Sequence, residues 1–213
     1  MRELIPLFVD LRSKRVVIFG GGSVGERKAR LFSGYSNVIV VSRSFSDGLK
    51  QMGDEGLVEL VTKDIQAGSD DIDYYLKDAF IVIPATSSFE LNIDLERRAN
   101  TFRALINRVD GVGDVLVPSI IRRDPITIAI STLGESPAFS RYLKKKIDSD
   151  LTESQISMAK LLGELRSQLK TTIPNQALRR EILWKILSDE EIWRLLDESY
   201  EKAYKKALQS VTG

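Results

Sequence analysis

One stretch constrains this chain more than any other. Arg15 to Phe19, RVVIF, is a short β-branched apolar run that passes directly into Gly20-Gly21-Gly22-Ser23-Val24-Gly25 and then into the helix-forming ERKARLF. Strand, tight turn and helix in that order is the setting in which spaced glycines acquire a mechanism. Gly20 permits the turn, Gly22 lets a pyrophosphate approach the backbone, and Gly25 lets the helix pack close to the strand. The first turn of the helix, with Ser23 and Val24, then turns amide donors and a positive dipole end toward the phosphates. A dinucleotide site of the NAD type usually adds an Asp or Glu at the end of the second strand, where it holds a ribose hydroxyl. Ser42-Arg43-Ser44 stands there instead. The adenosine ribose is expected near Arg43 and Ser44. Arg43 fits a 2′-phosphate as well as it fits a solvated loop cation, so these residues alone leave NAD and NADP both open.

Further apolar runs follow at Val38–Val41, Val58–Val61, Phe80–Ala85 and Leu105–Val109, with helical stretches such as FELNIDLERRA between some of them. Strands alternating with helices at this spacing predict an α/β fold with a Rossmann-type parallel sheet. After Asp110 the pattern changes. DVLVPSI and PITIAIS are strand-like runs on either side of Arg122-Arg123-Asp124-Pro125, a turn signal, and predict a hairpin. Ser136 followed by Pro137 predicts a helix start. From Glu153 onward Ile192, Leu195, Leu196, Ala203, Tyr204, Ala207 and Leu208 keep one apolar helical face. The expected organisation is a nucleotide-binding domain over residues 1–112, a small strand-containing dimerisation and substrate region over 113–150, and a C-terminal helical domain over 151–213.

Composition removes whole classes of chemistry. The 213 residues contain no cysteine and no histidine, which excludes disulfides, thiolate zinc sites, a cysteine nucleophile and an imidazole base. No protein-held metal site is expected. Acid–base work must fall to carboxylates, lysine, tyrosine or water. Lys+Arg 31 against Asp+Glu 30 leaves a net charge of +1, which gives no electrostatic footprint for nucleic acid. The opening MRELIPLFVDLRSKR becomes charged too early for a signal peptide, and no apolar run approaches the roughly 20 residues of a membrane span. A cytoplasmic protein without a membrane partner is expected.

Several segments together resemble the precorrin-2 dehydrogenase family, also found as the N-terminal portion of siroheme synthases. Leu4-Ile5-Pro6-Leu7-Phe8 leading to Leu11 is similar to the family's opening, and GGGSVGERKARL, Gly20 to Leu31, is similar to its glycine loop with the Glu-Arg-Lys-Ala run. Pro84-Ala85-Thr86-Ser87-Ser88 with Asn92 resembles the loop after the fourth strand, and Asn107-Arg108-Val109-Asp110 resembles an Asn-x-Val-Asp signature. The runs from Val117 to Arg123 and from Ile128 to Pro137 resemble the following strand pair and helix start, and Arg179-Arg180 with Trp184 resembles the helical tail. The likeness runs from residue 4 to about 185. Gly111-Val112-Gly113-Asp114 replaces a commonly longer loop, and Thr132 stands where a relative has Ser. The methyltransferase portion of the fused enzymes is expected to be absent.

The resemblance implies NAD-dependent oxidation of precorrin-2 to sirohydrochlorin by a homodimer, with Fe2+ as a second substrate in relatives that also act as ferrochelatases. Asp110 is then the expected base, at the carboxyl end of the fifth strand, where ligand crevices of open α/β sheets lie. A turn aspartate before Gly111 is the structural alternative. Asn107 is expected on the same face of that strand, orienting the nicotinamide or Asp110, or satisfying backbone groups. Thr86 and Ser87 are expected near the nicotinamide ribose, or as a satisfied loop end. A polycarboxylated substrate calls for cationic and hydroxyl partners, and the expected ones are Ser119, Arg122, Arg123, Thr132 and Arg141. The rival readings are a non-catalytic nucleotide sensor and a nicotinamide-dependent dehydrogenase of another small molecule.

Overall fold

Alternation of valine and isoleucine along β1 (Arg15–Phe19) sends side chains to both faces of a sheet, and both faces are buried. In this computed structural model, which describes residues 4–212, five parallel strands run in the order β3-β2-β1-β4-β5. Met1 to Glu3 of the expected nucleotide domain, and Gly213 of the helical one, lie outside the described residues. The other strands are β2 (Asn37–Ser42), β3 (Glu59–Thr62), β4 (Ala79–Pro84) and β5 (Leu105–Ile106). Val16 and Ile18 join Val38, Val40, Ile81 and Ile83 on one face, under α1 (Ser23–Phe32) and α2 (Asp47–Asp54). Val17 and Phe19 join Val41 and Val82 on the other, under α3 (Asp71–Leu76) and α4 (Phe89–Thr101). Near-continuous apolar strands are what a parallel sheet covered on both faces requires.

The fifth strand is shorter than its apolar run predicts. It ends at Ile106 rather than Val109, because the chain turns back on it. Asp114 Oδ2 accepts the Ile106 N–H at 3.1 Å, and the Asp114 N–H donates to the Ile106 carbonyl at 2.8 Å. Gly113 sits so close to that carbonyl that a Cβ would come within 2.2 Å of it. The return takes the hydrogen bonds that a longer strand would use. Of DVLVPSI, Asp114 and Val115 are taken by the Ile106 carbonyl, and the run is strand only from Ser119 onward.

A buried aspartate ties α4 into the sheet's surroundings. Asp94 accepts from Arg97 at 2.6 Å, from the Gly68 N–H at 2.8 Å and from Arg98, while Arg98 also reaches Asp73 on α3 at 2.9 Å. Burial alone would raise the Asp94 pKa, but Arg97, the Gly68 amide and Arg98 outweigh it and hold the carboxyl below its ordinary value. Asp94→Asn should therefore cost about 2 kcal/mol in urea unfolding at neutral pH. A folded-state pKa below the unfolded one gives stability that is present above about pH 4 and is lost as pH falls through the folded value. The gap between parent and variant should close in acid; an equal gap at pH 3 and pH 7 would contradict the ionic role.

The chain divides into two compact units between Val117 and Pro118. In the second, β6 (Ser119–Arg123) and β7 (Ile126–Ile130) form an antiparallel hairpin joined at a cis Asp124–Pro125 peptide. Helix α5 (Pro137–Asp150) starts as its sequence predicts: Ser136 accepts the Phe139 N–H and Pro137 occupies the first turn. Helices α6 (Glu153–Thr172), α7 (Gln176–Leu187), α8 (Glu190–Glu198) and α9 (Tyr200–Thr212) follow. Thr152 and Gln155 form a reciprocal capping box at the start of α6, and Asn175 and Asp189 cap α7 and α8. Their shared core holds Met158, Leu161, Leu165, Ile186, Ile192, Leu196, Ala203 and Ala207. Among the described residues no helix is long and apolar enough to cross a membrane.

Candidate active site

The four glycines of the loop are not equivalent. Gly20 has φ +120°, and a Cβ there would lie 2.2 Å from the Ala85 carbonyl oxygen. A Cβ on Gly21 would lie 2.1 Å from the Ser44 carbonyl oxygen, and one on Gly25 would lie 2.0 Å from the Gly20 carbonyl oxygen. Those three hold the turn, strand and helix together. Gly22 differs: a Cβ there meets nothing within 4 Å, and its φ of −83° suits any residue. Gly22 is also the N-cap of α1 and supplies no side-chain partner, so the first-turn amides of that helix have no side-chain acceptor. Open space in front of uncapped helix amides is an anion cradle.

That cradle opens into a cleft of about 660 Å³ at the carboxyl ends of the strands. Gly20, Gly22, Ser23, Val24, Arg43, Ser44, Thr86 and Ser87 all line it, so the structure brings together the expected loop, ribose and nicotinamide-side residues. Gly25 lies beneath it, against Gly20. β1 is central, with β2 on one side and β4 on the other, so the cleft lies where the strand order reverses. Arg43 Nε stands 3.6 Å from Asp64 Oδ1, both well exposed. Asp64 lines the same cleft from beyond β3. Sequence reading does not reach this acid, because it follows β3 rather than ending β2, where the acid of a dinucleotide site usually stands.

The Thr86 hydroxyl faces inward to its own loop. It lies 2.8 Å from Asn92 Oδ1 and 3.1 Å from the Ser88 carbonyl, and accepts the Ser88 N–H at 3.2 Å. Asn92 completes the clamp by accepting the Thr86 N–H and donating to the Thr86 carbonyl. Thr86 therefore shapes the loop, while Ser87 keeps a side chain without a described partner at the cleft wall.

The Glu-Arg-Lys run on α1 works in two directions. Glu26 accepts from the Ser46 hydroxyl at 2.6 Å and from Arg30, and these two bonds hold its carboxyl below the usual range. Ser46 in turn caps α2 through the Leu49 N–H. Lys28 reaches the opposite way and donates to Asn107 Oδ1 at 2.6 Å. Burial lowers the Lys28 pKa, and no carboxylate lies within ion-pair distance of it among the described residues.

Asn107 is buried, and both ends of its amide are engaged: Oδ1 by Lys28 and Nδ2 by the Val115 carbonyl at 2.7 Å. The expectation that Asn107 shares a strand face with Asp110 is not met. The two are three residues apart, which period-two alternation puts on opposite faces, and both lie past the end of β5. Asn107 is instead a brace between α1 and the returning loop. Asp110 stands on that loop, exposed, with Arg108 Nε at 3.9 Å; Arg108 also lies 3.0 Å from Glu96 on α4. Asp110 and Asn107 do not line the glycine cleft. Their loop follows β5, next to β4, at the same carboxyl edge as the Thr86 loop.

Among the residues expected to meet substrate, Ser119 opens β6 opposite Ile130, and Arg122 and Arg123 end that strand. Arg123 is tied to Asp148 of α5 at 3.0 Å. Thr132 Oγ1 accepts the Ser136 N–H at 3.0 Å and lies 3.2 Å from Ser140 Oγ, so it shapes the entry to α5. Arg141 is exposed on α5.

Comparison with known proteins agrees with this geometry. Residues 7–119 match the family described as "Putative NAD(P)-binding", and residues 123–149 match "Sirohaem biosynthesis protein central". The precorrin-2 dehydrogenase of Methanosarcina barkeri is 48% identical over 206 residues, covering 96% of this chain and 92% of that one. The chain belongs to the precorrin-2 dehydrogenase family. The siroheme synthase of Actinobacillus pleuropneumoniae is 31% identical over 91% of this chain but only 39% of its own length, so the chain spans about two fifths of that relative. The family's fold is seen in the solved structure of SirC, precorrin-2 dehydrogenase, with a TM-score of 0.75 at 21% identity, covering 97% of this chain and 100% of that one.

Proposed function

We propose that this chain oxidises precorrin-2 to sirohydrochlorin with NAD as acceptor. The observation that carries the proposal is the near full-length 48% identity to the M. barkeri precorrin-2 dehydrogenase, joined to a cleft whose phosphate end is built and open. Gly22 and the Ser23 and Val24 amides would hold the pyrophosphate, Ser44 and Asp64 the adenosine ribose, and Ser87 the nicotinamide side. The Asp64 carboxylate favours NAD, because it partly neutralises Arg43 and repels a 2′-phosphate. When bound, the oxidised nicotinamide supplies the acceptor for a hydride. The chain's own part is to hold two reactants together and to take a proton. Asp110 is the proton acceptor: it is exposed beside the β4–β5 edge, and Arg108 at 3.9 Å leaves its carboxylate largely unengaged.

Anaerobic incubation with precorrin-2 and each nicotinamide cofactor tests this, read as sirohydrochlorin absorbance and cofactor reduction. Turnover with NAD is expected to exceed that with NADP. No sirohydrochlorin with either cofactor would overturn the reading.

The chain is expected to act as a homodimer through the hairpin and α5. Among the described residues β6 and β7 pair only with each other, and a lone two-stranded hairpin with free edges is marginally stable and prone to pairing. Light scattering at micromolar concentration should give twice the 23.9 kDa chain mass; a monomer would contradict it.

A further inference from the structure

Helix α7 is poorly buried for a helix that shares a core with α6, α8 and α9. Ile186 is its one fully buried side chain, while Trp184 is 62% exposed and Leu178 is also exposed. Together with α6 it forms a groove of about 430 Å³ whose apolar floor is Leu162, Leu183, Leu187 and Trp184. Its rim carries Arg166, Lys170, Arg179 and Arg180, and no acidic residue lines it. Arg179 is committed to the α6–α7 turn, donating to the Ile173 and Pro174 carbonyls at 2.6 and 2.8 Å. Arg166, Lys170 and Arg180 have no carboxylate partner among the described residues.

The charge pattern selects the occupant. A second copy placed by two-fold symmetry would set this patch against itself, bringing four cations against four with no lining carboxylate between them. An apolar partner would leave the cations desolvated and unpaired. A planar polyanion satisfies both parts: a flat ring packs on the indole face and leucine floor, and peripheral carboxylates meet the guanidinium and ammonium groups. We infer that the α6–α7 groove, whose lining shares no residue with the nucleotide cleft, binds a polycarboxylated tetrapyrrole. This rests on the proposed reading, whose substrate and product belong to that chemical class. Such a site would keep a reactive macrocycle on the chain before or after oxidation.

The test counts bound ligand. Equilibrium dialysis with uroporphyrin, an octacarboxylate, should show one fewer porphyrin per chain in Arg166→Gln/Lys170→Gln/Arg180→Gln than in the parent. Trp184→Ala should weaken that site about tenfold. With precorrin-2 saturating, turnover should be unchanged in the triple variant. In the unmodified protein, raising salt should release the groove ligand, because its ion pairs are exposed and screened; this reading holds even where a variant fails to fold. If the dehydrogenase reading alone is wrong, turnover is absent in the parent while the triple variant still loses its one porphyrin. Equal stoichiometry in parent and triple variant, or equal binding of a porphyrin lacking carboxylates, would overturn the inference. So would a change of oligomeric state in Trp184→Ala, which would make the groove an interface between copies.

Discussion

Gly22→Leu should leave the fold and the unfolding midpoint unchanged while weakening nicotinamide dinucleotide binding at least about 100-fold, because two or more hydrogen bonds to a charged phosphate are lost, each worth roughly 1.5–3 kcal/mol. The two halves of the expectation come from one observation. A side chain at Gly22 meets no protein atom within 4 Å, so the apo chain accommodates it; the space it fills lies in front of the uncapped α1 amides. Gly20→Ala is the control with the opposite outcome. Its φ of +120° and the Ala85 carbonyl 2.2 Å from the new Cβ make it a folding defect. Calorimetry with NAD beside thermal unfolding of both variants separates the cases, and unchanged affinity in Gly22→Leu would place the dinucleotide elsewhere.

Asp110→Asn should lower tetrapyrrole oxidation by about 100- to 10,000-fold, the usual range for loss of a general base, with NAD affinity and stability intact. The side chain is exposed, and among the described residues its ion-pair partner Arg108 stands at 3.9 Å and has Glu96 closer. A structural role would show as lost stability. Oxidation within a few fold of the parent, with normal NAD binding, would assign proton removal to water or to the substrate's own carboxylates.

What could be read from residues alone was what is written locally. RVVIF and the glycines that follow it specify the strand, turn and helix within some twenty positions, and Ser136-Pro137 specifies a helix start within four. The length of β5 was not legible, because Asp114 ends it from eight residues further on. The Lys28–Asn107 contact spans 79 positions, and no pattern in either segment announces the other. Asn107, expected either to orient ligands or to satisfy backbone groups, has its amide engaged by Lys28 and by the Val115 carbonyl. Asp64 escaped for a topological reason, since β3 lies beside β2 and contributes its own carboxyl end to the same cleft. The groove on α7 was hidden because a helical face of arginine, leucine and tryptophan reads as ordinary packing until its exposure is known.

The chain returns onto Ile106 and closes a short loop there. The loop is fastened at Ile106 and Asp114 by bonds in both directions, and Asp110 stands midway between them. Its carboxylate is carried like the tip of a calliper, on a backbone position set by the length of the closed span. Relatives with a longer span would hold the same acid further out. If Asp110 takes the proton as proposed, inserting or deleting residues between Asp110 and Asp114 would be a graded way to retune which macrocycles react, while the sheet, the glycine turn and the nucleotide cleft remain as they are.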